Sequence, residues 1–257
     1  MITLLTDFGT VDGFVGAMKG VIASIAPGEP VVDITHDVPS QDVQNGAFAL
    51  RAASCFYPPG TVHCAVVDPG VGTARRALAL QTAHYRFVGP DNGLMLWAAD
   101  ADGGVLKAIS CTNPDFHLPD VSCTFHGRDV FAPVAAHLAI DVPLVELGEP
   151  VDPVDLVRLP WRETPLPEEG EVEAWVVHVD RFGNVVTSVP GKDIQGRTLI
   201  DGKDVQVCKA YDRPPGTLVV VPGSAGLLEL SVVRGSAAEL LDLDTGDRVR
   251  IGRGGSG

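Results

Sequence analysis

The residue in this chain best placed to do chemistry is an aspartate at the end of an apolar run. Residues 61–67 (Thr-Val-His-Cys-Ala-Val-Val) are β-branched and apolar, the composition of a strand buried on both faces. Asp68 follows, then Pro-Gly-Val-Gly, which cannot continue a strand, and then Arg75 and Arg76. Polar groups just past the carboxyl ends of parallel strands sit in the crevice where open α/β sheets bind ligands. A second cluster, Thr124-Phe-His126-Gly-Arg-Asp129, opens a predicted helix. Asp68, Arg75 and His126 form the candidate catalytic constellation. A carboxylate accepts a hydrogen bond from water or takes its proton, a guanidinium keeps that carboxylate ionised and aimed, and an imidazole holds the water from another side. A structural Asp–Arg pair beside a helix-capping histidine is the competing reading, and residue types alone leave both open. Asp7 closes another apolar run, where a carboxylate can accept both hydroxyls of a diol; a purely structural role is equally open there. His36, in the loop Thr35-His36-Asp37, is expected to line the same pocket. The remaining histidines (63, 84, 117, 137 and 178) show no metal-ligand spacing, and no metal site is predicted.

The elements that must position these residues alternate. Strands are predicted over 2–6, 30–34, 61–67, 77–82, 85–88 and 105–109, with helices over 12–26, 42–56 and 128–140 and a turn at Asp91-Asn92-Gly93. That alternation predicts an α/β fold, a mainly parallel sheet with helices on both faces. Gly13, Gly16 and Gly20 on the first helix lower its propensity and suggest close packing on the sheet. Beyond about residue 148 the texture changes. Residues 150–167 carry five prolines and no regular period, which suits a linker. Short strand-like segments follow at 172–179, 185–189, 204–209, 217–221, 227–233 and 248–251, with a short helix at 236–241, as in a small all-β barrel or sandwich. The predicted organisation is an N-terminal α/β domain (1–149), a linker (150–169) and a barrel-like C-terminal domain (170–257). The terminal residues 252–257, Gly-Arg-Gly-Gly-Ser-Gly, are expected to be disordered.

Composition narrows the function classes. The 257 residues are 45% hydrophobic and 20% charged, values of an ordinary globular protein. A net charge of −14 argues against a nucleic-acid partner and mildly favours a cationic substrate. No apolar stretch approaches the roughly 20 residues of a membrane span, and the first residues lack the basic start of a signal peptide. Five scattered cysteines without a Cys-x-x-Cys pair read as reduced core residues of a cytoplasmic protein. The glycines after the first strand do not have Gly-x-Gly-x-x-Gly spacing, so the dinucleotide fingerprint is absent, and a methyltransferase-type first loop is poorly matched.

Four motifs, Thr6-Asp7-Phe8-Gly9, Asp33-Ile-Thr-His36, the Asp68–Arg76 segment and residues 124–129, resemble the S-adenosylmethionine (SAM) hydroxide adenosyltransferase family, or SAM hydrolases. These are relatives of the fluorinase and chlorinase that put halide on the same substrate. The likeness runs over essentially the whole chain. It implies hydrolysis of SAM, in some members its R epimer at sulfur, to adenosine and L-methionine by water attacking ribose C5′, with no cofactor. It also implies a homotrimer whose sites lie between the N-terminal domain of one subunit and the C-terminal domain of its neighbour. By resemblance, Asp68, Arg75 and His126 handle the water and Asp7 holds the ribose diol. Asp180 contacts the methionine amino group, Phe182 stacks on adenine, and Asn184 bonds the adenine edge. Tyr211 covers the other adenine face, the loop Gly223-Ser224-Ala225-Gly226 holds the amino-acid end, and Val233 stands on the adenine side where family members often carry Asn. Halide-using relatives differ at Asp68 (Tyr), Val71, Gly127 (a hydroxyl residue) and Ala225 (Arg), which favours water over halide. A SAM-dependent halogenase is the alternative within the family, and a non-catalytic SAM or adenosine sensor the alternative of another class.

Overall fold

A computed structural model describes residues 1–254 except Arg162, Asp193 and Gln195; residues 255–257 of the predicted tail lie outside the described residues. The chain divides into two compact units, Met1–Leu159 and Pro160–Gly257.

The first unit is built on a seven-stranded sheet: β1 (Ile2–Thr6), β2 (Val31–Thr35), β3 (Val62–Val66), β4 (Ala77–Gln81), β5 (Arg86–Pro90), β6 (Lys107–Ser110) and β7 (Glu149–Val151), in the order β2-β1-β3-β5-β4-β6-β7. β2, β1, β3 and β5 run parallel. The expectation of a mainly parallel sheet fails beyond β5, where β5–β4, β4–β6 and β6–β7 all pair antiparallel. The reason is local: only residues 82–85 join β4 to β5, and so short a connection can make a hairpin but not a crossover. The sheet is mixed.

β1 and β3 are buried along their whole length, as continuous apolar runs demand. Alternate strand residues feed two separate apolar clusters. Ile2, Leu4, Val62, Cys64 and Val66 pack with α1 (Phe14–Ile25) and α4 (Ala132–Ala139); Leu5, Ala65 and Val67 pack with α2 (Val43–Ser54) and α3 (Leu96–Ala101). Each fully buried Leu or Ile contributes about 1.5–3 kcal/mol. The helix expected over 128–140 begins as a π-helical turn, Gly127–Phe131, before becoming α4.

The glycines of α1 are a correction. Gly16 and Gly20 lie exposed, with open space where a Cβ would stand, because the buried stripe is Val15, Met18 and Ile22 on the opposite side. Close approach occurs instead at Gly46 of α2, where a Cβ would meet Leu94 at 2.8 Å and Val67 at 3.0 Å. α3, β7 and the later β10 had no expectation in the sequence. Part of the proline-bearing segment read as linker is sheet, since β7 pairs with β6.

The second unit holds β8 (Glu171–Val179), β9 (Val185–Pro190), β10 (Arg197–Ile200), β11 (Lys203–Gln206), β12 (Leu218–Pro222), β13 (Leu227–Val232), α5 (Ala237–Leu241) and β14 (Arg248–Arg253). The strand order β11-β10-β14-β8-β9-β13-β12 is antiparallel at every step, and a bridge between Val207 and Val220 brings its ends together. The result is a nearly closed, barrel-like sheet around Val176, Val185, Leu228, Leu230 and Ile251. Gly252 and Arg253, expected in a disordered tail, end β14. Three cysteines, Cys64, Cys111 and Cys208, are buried, while Cys55 and Cys123 are exposed rather than in the core; all five are free thiols. Among the described residues no helix is long and apolar enough to cross a membrane.

Candidate active site

Parallel pairing brings the candidate residues together. Thr6 of β1 lies opposite Val66 of β3, so both strands leave the sheet at the same end, with Asp7 one residue on and Asp68 two. A cleft of about 340 Å³ opens there, lined by Asp7, Phe8, Phe14, Ser40, Gln41, Val66, Asp68, Pro69, Val71 and residues 124–127. This is the crevice geometry that parallel strands produce.

Asp68 and Arg75 form a nearly buried, bidentate pair. Arg75 Nε donates to both Asp68 oxygens at 3.1 and 2.9 Å, and Nη2 donates to Oδ2 at 2.5 Å. The side chains retain 5% and 11% exposure, so the pair is shielded from screening by salt. Nη2 also meets His126 Nδ1 at 2.7 Å. A guanidinium has donors and no acceptor, so Nδ1 must present its lone pair and the ring proton sits on Nε2. Burial, then the Arg75 charge, pulls the His126 pKa below its usual 6.5, against the opposing pull of Asp68 and Asp129. His126 is a neutral ring of defined tautomer on the cleft wall.

The loops that carry this constellation are locked to one another at Gly72. Its φ is +75°, and a Cβ there would stand 2.3 Å from the carbonyl oxygen of Cys123, in the segment leading to His126. Thr73 closes the Asp68 loop with two bonds to the Gly70 carbonyl, from N at 3.1 Å and from Oγ1 at 2.7 Å. Phe8, Phe14 and Phe125 make three edge-to-face contacts (centroids 5.2–6.0 Å) along the cleft. Gly127 backs onto this wall, where a Cβ would come within 3.2 Å of the Phe8 ring.

Asp7 lines the cleft with one oxygen already engaged: Oδ2 accepts the Gln41 N–H at 2.8 Å, and Oδ1 accepts none of the described hydrogen bonds. Gln41 reaches it from a left-handed conformation, φ +64°. His36 does not line the cleft as expected. It is buried with Nδ1 2.8 Å from Thr6 Oγ1 and Nε2 3.1 Å from Asp33 Oδ1, a tie between β1 and β2.

The other candidates belong to the second unit. Asp180 spends its carboxylate on its own turn: Oδ1 accepts the N–H of Phe182 and of Asn184, and Oδ2 accepts the Asn184 amide at 2.9 Å. This organises the β8–β9 turn, with Phe182 69% exposed at its tip and Arg181 stacked on the ring. Tyr211 is half exposed and donates to Glu229 Oε1 at 2.6 Å; burial, with the Glu229 carboxylate beyond it, pushes the phenol up to about 12. Ser224 is exposed in the β12–β13 turn. Val233 is buried with Cys208, Val219 and Val221, the usual place for an apolar side chain.

Residues 2–148 match the SAM hydroxide adenosyltransferase N-terminal domain, and residues 174–250 match its C-terminal domain. The chain belongs to the SAM hydroxide adenosyltransferase family. Within that family it is 49% identical to the (R)-S-adenosyl-L-methionine hydrolase of Salinispora arenicola over 98% of each chain. It is 44% identical to the enzyme of that name from Thermus thermophilus, over 96% of this chain and 97% of the other. A fluorinase from an Actinoplanes species is 28% identical, over 79% and 78%. The crystal structure of an uncharacterized conserved protein from Thermotoga maritima superposes with a TM-score of 0.89 at 38% identity, covering 98% of this chain and 100% of that one.

Residue types alone had no means of finding Gln41 or Phe14, and they marked Phe8, Phe125 and Asp129 only as members of the two motifs, without a role. Gly72 carried a trace, as the second glycine of Pro-Gly-Val-Gly.

Proposed function

We propose that this protein hydrolyses (R)-S-adenosyl-L-methionine to adenosine and L-methionine, with water held between Asp68 and His126 attacking ribose C5′. The observation that carries the mechanism is the shared Arg75 Nη2, which donates to Asp68 and to His126 at once and fixes both beside the cleft. The attacking oxygen forms its bond to C5′ as the C5′–S bond breaks, and that electron pair returns to sulfur. Methionine leaves as a neutral thioether, so the leaving side needs no general acid. The protonated alcohol formed at C5′ is a strong acid, and the weakly basic Asp68 carboxylate suffices to take its proton and pass it to solvent. The neutral His126 ring has an Nε2–H to donate to the water oxygen, holding a lone pair toward C5′. A halide in the same place would face the Asp68 carboxylate, a pairwise repulsion of about 4 kcal/mol at ~4 Å and an effective dielectric of 20 that the paired Arg75 charge offsets in part.

In this reading Asp7 offers Oδ1 to the ribose diol while Gln41 holds Oδ2. Asp180, Phe182, Asn184, Tyr211 and Ser224 bind the adenine and methionine ends, on the strength of the family resemblance. The same resemblance supports a cytoplasmic homotrimer with sites shared between subunits. Separate incubation with SAM of R and of S configuration, adenosine and methionine being quantified over time, tests the proposal. R should give both products one to one while S persists. Equal consumption overturns the epimer preference, and absence of adenosine overturns the reaction.

A further inference from the structure

The buried carboxylate nearest the constellation has no part in the scheme above. Asp129 lies in the π-helical turn Gly127–Phe131 with its side chain wholly out of solvent. Burial would raise its pKa, but the Arg128 guanidinium and the Ser122 N–H hold it below the carboxylate norm, so it is an anion. Two of its bonds lead to the segment carrying His126. Oδ2 accepts the Ser122 N–H at 2.8 Å, and the Asp129 carbonyl accepts the Leu118 N–H at 2.9 Å. Arg128 binds Oδ1 at 2.6 Å and Oδ2 at 3.1 Å, and its guanidinium lies over the Phe125 ring, part of the aromatic wall. The segment 118–126 is thus tied at one side to Asp129 and at the other to Gly72.

We infer that Asp129 is a positioning residue for hydrolysis, holding His126 in place through the 118–126 segment and supplying charge to its ring. Burying an anion carries a desolvation cost, and mere packing would be served as well by an apolar residue. The charged groups facing the His126 ring are Arg75 and Asp68 from the loop after β3, His117 from the preceding segment, and Asp129 with its partner Arg128 from the ring's own element. Of these, the Asp68 and Asp129 charges raise the ring's pKa and Arg75 lowers it. Without the Asp129 anion the ring should titrate lower still.

This inference rests on the hydrolytic reading for its kinetic half only. The test is Asp129→Asn, which keeps an oxygen for Ser122 but turns an amide N–H₂ toward Arg128. The ring titration of His126 is followed by NMR, its signal assigned by loss in His126→Gln, alongside kcat and KM for SAM. The expected result is a His126 pKa lower than in the unsubstituted protein, kcat reduced at least tenfold and KM within threefold. An unmoved His126 pKa, or kcat within twofold in the folded variant, overturns the inference. If Asp129→Asn does not fold, Asp129→Glu decides: the charge is kept and the reach altered, so the His126 pKa should stay while kcat falls at least threefold, and an unchanged kcat overturns the positioning role. A wild-type protein that makes no adenosine would fail the functional proposal alone, because the NMR arm reads without turnover.

Discussion

One guanidinium sets the chemistry of two neighbours. Arg75 offers Nη2 to both Asp68 Oδ2 and His126 Nδ1, and because the imidazole must accept at Nδ1 its proton is left on Nε2, free to donate. Asp68→Asn keeps the size of the side chain, turns an N–H₂ toward Arg75 or the water, and abolishes the proton acceptor. Turnover should drop by about two or more orders of magnitude, the scale of general-base loss, with circular dichroism and adenosine binding retained; near wild-type turnover in a folded protein would disprove the assignment. The pH profile belongs to His126. Its neutral ring is the working form, and protonation at Nδ1 would set two donors against each other across 2.7 Å. Because burial and Arg75 lower its pKa, the acid limb of kcat/KM should fall below pH 6.5, with activity lost as pH drops through that folded-state value. An acid limb above 6.5 would show that this ring's protonation does not set the profile, and activity lost as pH rises through that range would show that the ring works as a cation.

At the scale of elements, the site is an agreement between two loops, and Gly72 is where they meet. Gly72→Ala would place a methyl 2.3 Å from the Cys123 carbonyl oxygen in a backbone conformation L residues disfavour. The Asp68 loop and the His126 segment must separate, and a misplacement of ~1 Å costs about 100-fold in rate. The expected outcome is kcat reduced at least tenfold with a lower Tm, while alanine at Gly16, which meets open space, should leave kcat unchanged; equal kinetics in the two variants would remove the loop lock. The same elements show what the sequence could disclose. β3 and Asp68 were legible because a strand buried on both faces leaves a continuous apolar run that ends where a charge becomes tolerable. The direction of β4 and β6 was not, since a strand of four or five residues reads alike either way. The depth of Asp129 was hidden too, because a buried anion has the same letter as a solvated one and only Ser122, Leu118 and Arg128, brought round by the fold, reveal it. The glycines of α1 misled for a related reason: a small residue signals close approach only on the side that faces a neighbour.

The whole molecule divides the proposed work between two units. The water-handling residues and the ribose carboxylate lie in Met1–Leu159, while the aromatic and polar groups proposed for adenine and methionine lie in Pro160–Gly257. On the proposed assignments neither unit holds a full set, so the proposal requires the two to act on one substrate, and family resemblance points to units from different subunits. Mixing variants distinguishes this from sites within one chain. Asp68→Asn disables the first unit and Asn184→Ala impairs the second. If sites lie within a chain, every site in the mixture carries one defect and activity stays at the level of the separate variants. If sites join neighbours in a closed ring, random exchange in equal amounts leaves about one quarter of the sites with both halves intact. Subunits exchanged under mild denaturant and returned to buffer should therefore recover about 25% of wild-type turnover by that counting. Recovery should rise with exchange time and vanish when the subunits are cross-linked beforehand. No recovery after exchange, verified by mass spectrometry of mixed oligomers, would place both halves of each site in a single chain.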